Sequence, residues 1–203
     1  MTLRKKVYLL IISSLIIFLA SLFIFNEIQL KQNSLMIRSA SEQQDLIINN
    51  EINRRSDDLK QIVTDYTNWD DLIDNLNTKN QVWARNNIAT IINSLKLHSV
   101  ADYNLQQSLV YEFGDMANGR IGDSAEINEI LKRTSLAGFI HFYRLTPKGI
   151  LEVSGATLHR TLDTSRSLDQ HGFFYVTKLW DQTFFSELSH VTGSSITIQP
   201  DSY

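Results

Sequence analysis

The sequence predicts an α+β fold in which an N-terminal transmembrane helix continues into a long helix packed on an antiparallel sheet. Three observations predict it. An uncharged apolar run over 7–25 follows the basic cluster Arg4, Lys5 and Lys6. No proline or glycine interrupts residues 26–77. After about residue 100 the pattern changes from helical spacing to short β-branched and aromatic runs separated by turn residues, with two brief helical stretches among them.

The apolar run needs about 1.5 Å of rise per residue, so as a helix it spans roughly 28 Å, close to the hydrocarbon core of a bilayer. It continues as Leu-Phe-Ile-Phe past Ala20 and Ser21, where a signal peptidase would cut, so a retained anchor is expected. The basic stub belongs in the cytoplasm and the rest outside it. The expected location is therefore the inner (cytoplasmic) membrane, single-pass, with the C-terminal part periplasmic or extracellular. This divides the chain into a cytoplasmic stub (1–6), a transmembrane helix (7–25), a juxtamembrane helix (26–46) and an extracytoplasmic domain (47–200).

Beyond the anchor, Ile48, Ile52, Arg55, Leu59, Ile62, Tyr66, Trp69, Ile73 and Leu76 fall at alternating spacings of four and three. That is one stripe of a continuous helix, able to face the sheet or a second copy of the chain. A second helix is expected over 82–97, with Trp83, Ile88, Ile91, Ile92 and Leu95 as its apolar side. Residues 108–113 read as a strand. Asn118-Gly119 signals a turn. Asp123 and Glu126 form a capping box opening a helix through Arg133. Residues 137–145 and 150–157 read as strands joined by Thr146-Pro147-Lys148-Gly149. A further strand over 172–179 is followed by a helix over 181–191, closed by Gly193, and by a last strand over 195–199.

Composition excludes several classes. Removing Arg4, Lys5 and Lys6 from the 19 basic residues leaves 16 against 22 acidic ones, a net charge of -6. Nucleic-acid binding needs the opposite sign. There is no cysteine, hence no disulfide framework and no thiolate metal site. The five histidines are scattered, and no two share metal-ligand spacing on one helix. No phosphate-binding glycine loop or nucleophile elbow occurs, and neither a cofactor nor a resident metal is expected.

The stretch Asp65-Tyr66-Thr67-Asn68-Trp69-Asp70-Asp71-Leu72 resembles the signature of the CHASE family's fourth type, an extracytoplasmic sensor domain of bacterial and archaeal receptors. Ala137-Gly138-Phe139, Gly172-Phe173-Phe174-Tyr175-Val176 and the helix from Phe184 to Gly193 resemble its later elements, so the likeness runs from about residue 47 to 199. It implies a Cache/PAS-like sheet, a small-molecule or ion ligand, a homodimer through the N-terminal helix and no catalysis in the chain itself. It also implies an apolar hairpin where residues 99–119 are polar and irregular. Family members continue into a second membrane helix and an output module such as a histidine kinase, a diguanylate cyclase or a phosphodiesterase. Neither follows here, so the chain reads as a fragment or a truncated product.

Four residues are candidate ligand contacts. Trp69 and Asp70 come from the signature, with packing under the sheet and capping of a loop amide as their structural alternatives. Tyr143 and Arg144, near the end of a strand, could hold a small anion. Asp65, Asp70, Asp71 and Asp74 also crowd one stretch, which suits either a divalent cation or a solvated acidic face. A tethered envelope hydrolase is the alternative function; it requires Asp65, Asp70 and histidines to converge in one cleft. A non-catalytic envelope interaction protein is the other alternative.

Overall fold

The computed structural model of the chain describes residues 3–196. The chain divides into two units, Met1–Asn49 and Asn50–Tyr203. In the first, helix α1 (Leu3–Tyr66) carries an apolar stretch long enough to cross a membrane, its side chains from Leu10 on exposed.

In the second unit, the last turns of α1 lead to α2 (Asp70–Thr78), α3 (Gln81–Asn87) and α4 (Ala89–Ser94), then β1 (Ser99–Tyr103) and β2 (Leu109–Gly114). A single helical turn α5 (Met116–Gly119) and helix α6 (Ser124–Ala137) precede the hairpin of β3 (Phe139–Thr146) and β4 (Gly149–Thr157). Strand β5 (Phe173–Trp180) and helix α7 (Gln182–Thr192) complete the described fold. The five strands form one antiparallel sheet in the order β2-β1-β5-β4-β3. The strand expected over 195–199 lies, from residue 197 on, outside the described residues.

Local chemistry sets the ends of these elements. Asp123 accepts from the N–H groups of Ala125 and Glu126, and the Glu126 carboxylate accepts from Asp123 N–H, which is the capping box read from the sequence. Asp181 caps α7, and Gly193 closes it in the left-handed conformation.

The helix expected to run unbroken to residue 77 instead stops at Tyr66. Thr67 turns its hydroxyl back onto the Val63 carbonyl at 2.7 Å, and Trp69 is extended (φ -112°, ψ 109°) before α2 starts. A side chain that bonds its own helix backbone competes with the next turn, and three residues without helical geometry re-aim the chain.

Alternation along the strands gives the sheet two buried faces. One packs Val100, Tyr111, Phe174 and Val176 under Leu59 and Val63 of α1, Leu72, Ile73 and Leu76 of α2, and Ile88 between α3 and α4. The other packs Tyr103, Ile140, Leu151, Val153 and Tyr175 against Ile130 and Leu131 of α6. There the Tyr175 hydroxyl meets Thr134 Oγ1 at 2.6 Å.

The stripe that could have faced a second copy is therefore turned inward: Leu59 is 1% exposed, and Ile62 and Tyr66 pack on the same core. Arg55, its one charged member, lies over the Phe184 ring at 4.9 Å and pairs with Glu51 at 2.8 Å. It seals a smaller cluster of Trp180, Phe184, Phe185 and Leu188.

Candidate ligand-binding cleft

The segment between β4 and β5, residues 158–172, has no regular structure, yet it is tied down along its length. Its hub is Asp163, 4% exposed. Asp163 accepts from the N–H groups of Ser167 and Leu168, each at 3.0 Å, and shares a 2.9 Å bond with His159 Nδ1. Burial alone would push this carboxyl up; the bonds from Leu168, Ser167 and His159 outweigh it and hold the group below the ordinary carboxylate value.

The same segment is bonded to the signature stretch. His159 N–H donates to the Thr67 carbonyl at 2.9 Å. Thr161 donates through its hydroxyl to the Asn68 carbonyl at 2.8 Å and through its N–H to Asp70 Oδ1 at 2.9 Å. Arg160 donates to Asp74 at 2.6 Å, which lowers the Asp74 carboxyl. Arg166, in the left-handed region at φ 50°, reaches Thr67 Oγ1 and the Thr157 carbonyl. Four residues within eight positions, Thr67, Asn68, Asp70 and Asp74, thus fasten a segment some ninety positions later.

Beside this joint lies a cleft of about 650 Å³. Thr64 of α1 forms one wall, Phe139 at the start of β3 another, and Thr157, His159, Arg166 and Gln170 the third. Gln170 also closes across to Ser135 Oγ of α6 at 2.7 Å. The lining mixes hydroxyl, amide, imidazole and guanidinium groups with one aromatic ring, a surface that can orient a small polar molecule by directional bonds.

The four residues expected to touch a ligand are not gathered in one place. Trp69 is partly buried between Tyr66 (5.8 Å between ring centres) and Trp83 (5.1 Å), and Tyr66 in turn stacks on Phe174 at 5.6 Å. Asp70 caps the Thr161 amide. Tyr143 and Arg144 point to opposite faces of β3, as neighbours on a strand must. Tyr143 bonds Ser56 of α1 at 2.8 Å, while Arg144 pairs with Glu126 of α6 at 2.9 Å. The two do not form one anion clamp. The acidic stretch is also spoken for, because Asp70 and Asp74 hold Thr161 and Arg160, and Asp65 accepts from Gln61 at 2.7 Å. Among the described residues Asp65 and Asp70 share no hydrogen bond or ion pair with a histidine, the pairing a hydrolase would use. Sequence reasoning missed His159, Asp163 and Arg166. The only signal was their density of polar residues between two apolar strands.

A family model described as the CHASE4 domain matches residues 51–199. The chain belongs to the CHASE4 family. Its described fold is that of an extracytoplasmic sensor domain, and the expected Cache/PAS-like sheet is present. Among solved structures, the periplasmic domain of Vibrio cholerae LuxQ superimposes with a TM-score of 0.56 at 11% identity, covering 75% of this chain and 71% of that one. The sensory domain of the Campylobacter jejuni chemoreceptor Tlp3, solved with isoleucine bound, gives a TM-score of 0.46 at 10% identity over 79% and 65%. No curated protein matches the chain. Within the CHASE4 domain, the signature stretch is the clip that holds the β4–β5 segment against the end of α1.

Proposed function

We propose that this CHASE4 chain is the sensing part of a single-pass membrane receptor. Its domain binds a small molecule or ion outside the cytoplasm and passes the difference between free and bound states into α1, with no catalysis of its own. One observation supports the reading above others. Thr64 of α1 walls the cleft, and the segment forming the opposite wall is bonded to Thr67, Asn68 and Asp70, where α1 ends. An occupant that draws the segment inward pulls on that end of the helix. Only differential affinity for two such arrangements can shift their balance, and this joint provides the means.

Trp69 and Asp70 enter the proposal as residues that fix the joint. Tyr143 enters as a second link to α1 through Ser56, and Arg144 as a contact to α6. The apolar stretch of α1 is the anchor, with Arg4, Lys5 and Lys6 on the cytoplasmic side. The receptor is a homodimer through α1, where Ile28, Leu35 and Leu46 are all exposed and recur at seven and eleven positions, on one side of the helix.

The test is a melting-temperature screen of the full chain in detergent against amino acids, organic acids, sugars and divalent ions. A binder present at a hundred times its Kd stabilises by about 2.7 kcal/mol. Thr64→Trp, which fills the cleft, abolishes the rise while leaving the unliganded melting temperature unchanged. A rise that survives Thr64→Trp moves the site elsewhere, and a topology reporter at residue 150 found in the cytoplasm ends the receptor arrangement.

A further inference from the structure

Asp102 has no role in the cleft, yet it is among the most enclosed ionisable groups of the domain. It lies on β1 with Tyr111 of β2 and Phe174 of β5 as its register partners, on the sheet face covered by α2 to α4. Its side chain is 0% exposed, and among the described residues neither carboxyl oxygen has a hydrogen-bond partner. The hydroxyl of its register partner Tyr111 donates instead to the Asn75 carbonyl at 2.5 Å. The helices above present Leu72, Ile73, Leu76, Ala84, Ile88 and Ile91. An ionised carboxylate cannot be sealed among such groups without a partner; a protonated one can.

We propose that Asp102 is a proton-binding site whose occupancy lets α2 to α4 close on the sheet, so that a rise in external pH loosens these helices. The inference goes beyond the sensor reading and holds whatever ligand the cleft takes.

From β2, Tyr111 is pushed up to about 12, by burial first and by Asp102 second. From α1, Tyr66 is raised by burial. Phe174 and Val176 of β5 carry no charge. On α2, Asp71 and Asp74 are exposed and Asp70 is turned to the β4–β5 segment; Arg85 of α3 is exposed, and α4 has no ionisable side chain. His98, before β1, faces Asp115 at 3.6 Å. Among the described residues no cation therefore waits to hold an ionised Asp102, and burial keeps its carboxyl well above the ordinary value of 3.8.

The sign follows from linkage. The closed form keeps the proton where an open or unfolded chain has lost it. The stabilisation is complete below about pH 3.8 and is lost as the pH rises toward the folded value. For one proton, each pH unit in that window shifts opening about tenfold.

Hydrogen exchange over residues 70–94 of the full chain in detergent, between pH 4.5 and 8, tests this. Beyond the intrinsic rate, wild-type exchange rises by up to about tenfold per pH unit, and Asp102→Asn removes that rise. The same pH dependence in both proteins overturns the proposal. If the variant does not fold, the infrared carbonyl band of a protonated carboxyl in the wild type decides: the band fades as exchange accelerates, and its absence at pH 5 overturns the proposal.

Discussion

Replacing Glu152 tests how the sheet is held to α1. Glu152 lies on β4, and its side chain is 0% exposed. It takes a 2.9 Å bond from Trp180 Nε1 of β5 and shares another of 2.9 Å with His141 of β3. Burial pushes its carboxyl up, but bonds from His141, Ser56 and Trp180 outweigh that and keep it below the ordinary 4.5. Glu152→Ala strands the Trp180 indole N–H, itself on a residue 5% exposed, together with His141. Breaking a buried charged pair by removing one partner costs about 3–5 kcal/mol. That is a large part of the roughly 5–15 kcal/mol by which a domain is stable. Glu152→Gln keeps an acceptor for Trp180 and loses less, about 1–2 kcal/mol. The assay is urea unfolding of the full chain in detergent, followed by tryptophan fluorescence. The pH dependence has a fixed sign. Because the folded value is depressed, Glu152 contributes fully above about pH 4.5, and its contribution is lost as the pH falls through the folded value. Glu152→Gln therefore flattens the acid side of the stability profile. An Ala variant within about 0.5 kcal/mol of wild type, the usual spread for surface changes, would refute the reasoning.

Further outcomes are expected. Asp70→Ala removes the acceptor for Thr161 N–H and costs about 0.5–1.5 kcal/mol; hydrogen exchange over 159–168 speeds up while the β3–β4 hairpin is unaffected. Gly155→Val destabilises by about 1–3 kcal/mol or more, because a Cβ there would sit 2.0 Å from the Tyr175 ring; the urea midpoint falls with its slope unchanged. Charge at Ile28 and Leu35 together, as Ile28→Glu with Leu35→Glu, shifts the full chain toward monomer in sedimentation. Ile52→Glu, which enters the domain's own packing, instead lowers stability.

Local signals in the sequence located most of the elements. The Asp123–Glu126 box, the Pro147–Gly149 turn and the Asp181 and Gly193 caps each act within a few residues, so their chemistry can be read in place. Strand β1 could not be read that way. All five of its residues are buried, Ser99 and Asp102 included, because it lies inside the sheet with cover on both faces. Alternation is invisible there, and only the resemblance implied a hairpin. The break at Thr67 to Trp69 was hidden because the apolar spacing carries across it: Trp69 in the break and Ile73 and Leu76 of the separate helix α2 stay in register with the stripe. The site was least legible. Asp70 acts on Thr161 and Thr67 on Arg166, contacts that exist only once the sheet has formed. Tyr143 and Arg144, adjacent in sequence, were separated by the pleat itself.

The strand order has a kinetic corollary. Strand β5 fills the middle of the sheet but is the last strand in the described chain, joining β1 some seventy-eight residues earlier to β4 just before it. The hairpins β1–β2 and β3–β4 close locally, whereas the strand pairing that unites them waits for residues 173–180. A growing chain thus carries two half-sheets with open edges until that late segment arrives. Such non-local pairing is slow, and unpaired edges invite association with other chains. Assembly is then limited by delivery of one aromatic-rich strand, and a block at that step leaves two sticky fragments rather than a smaller working domain.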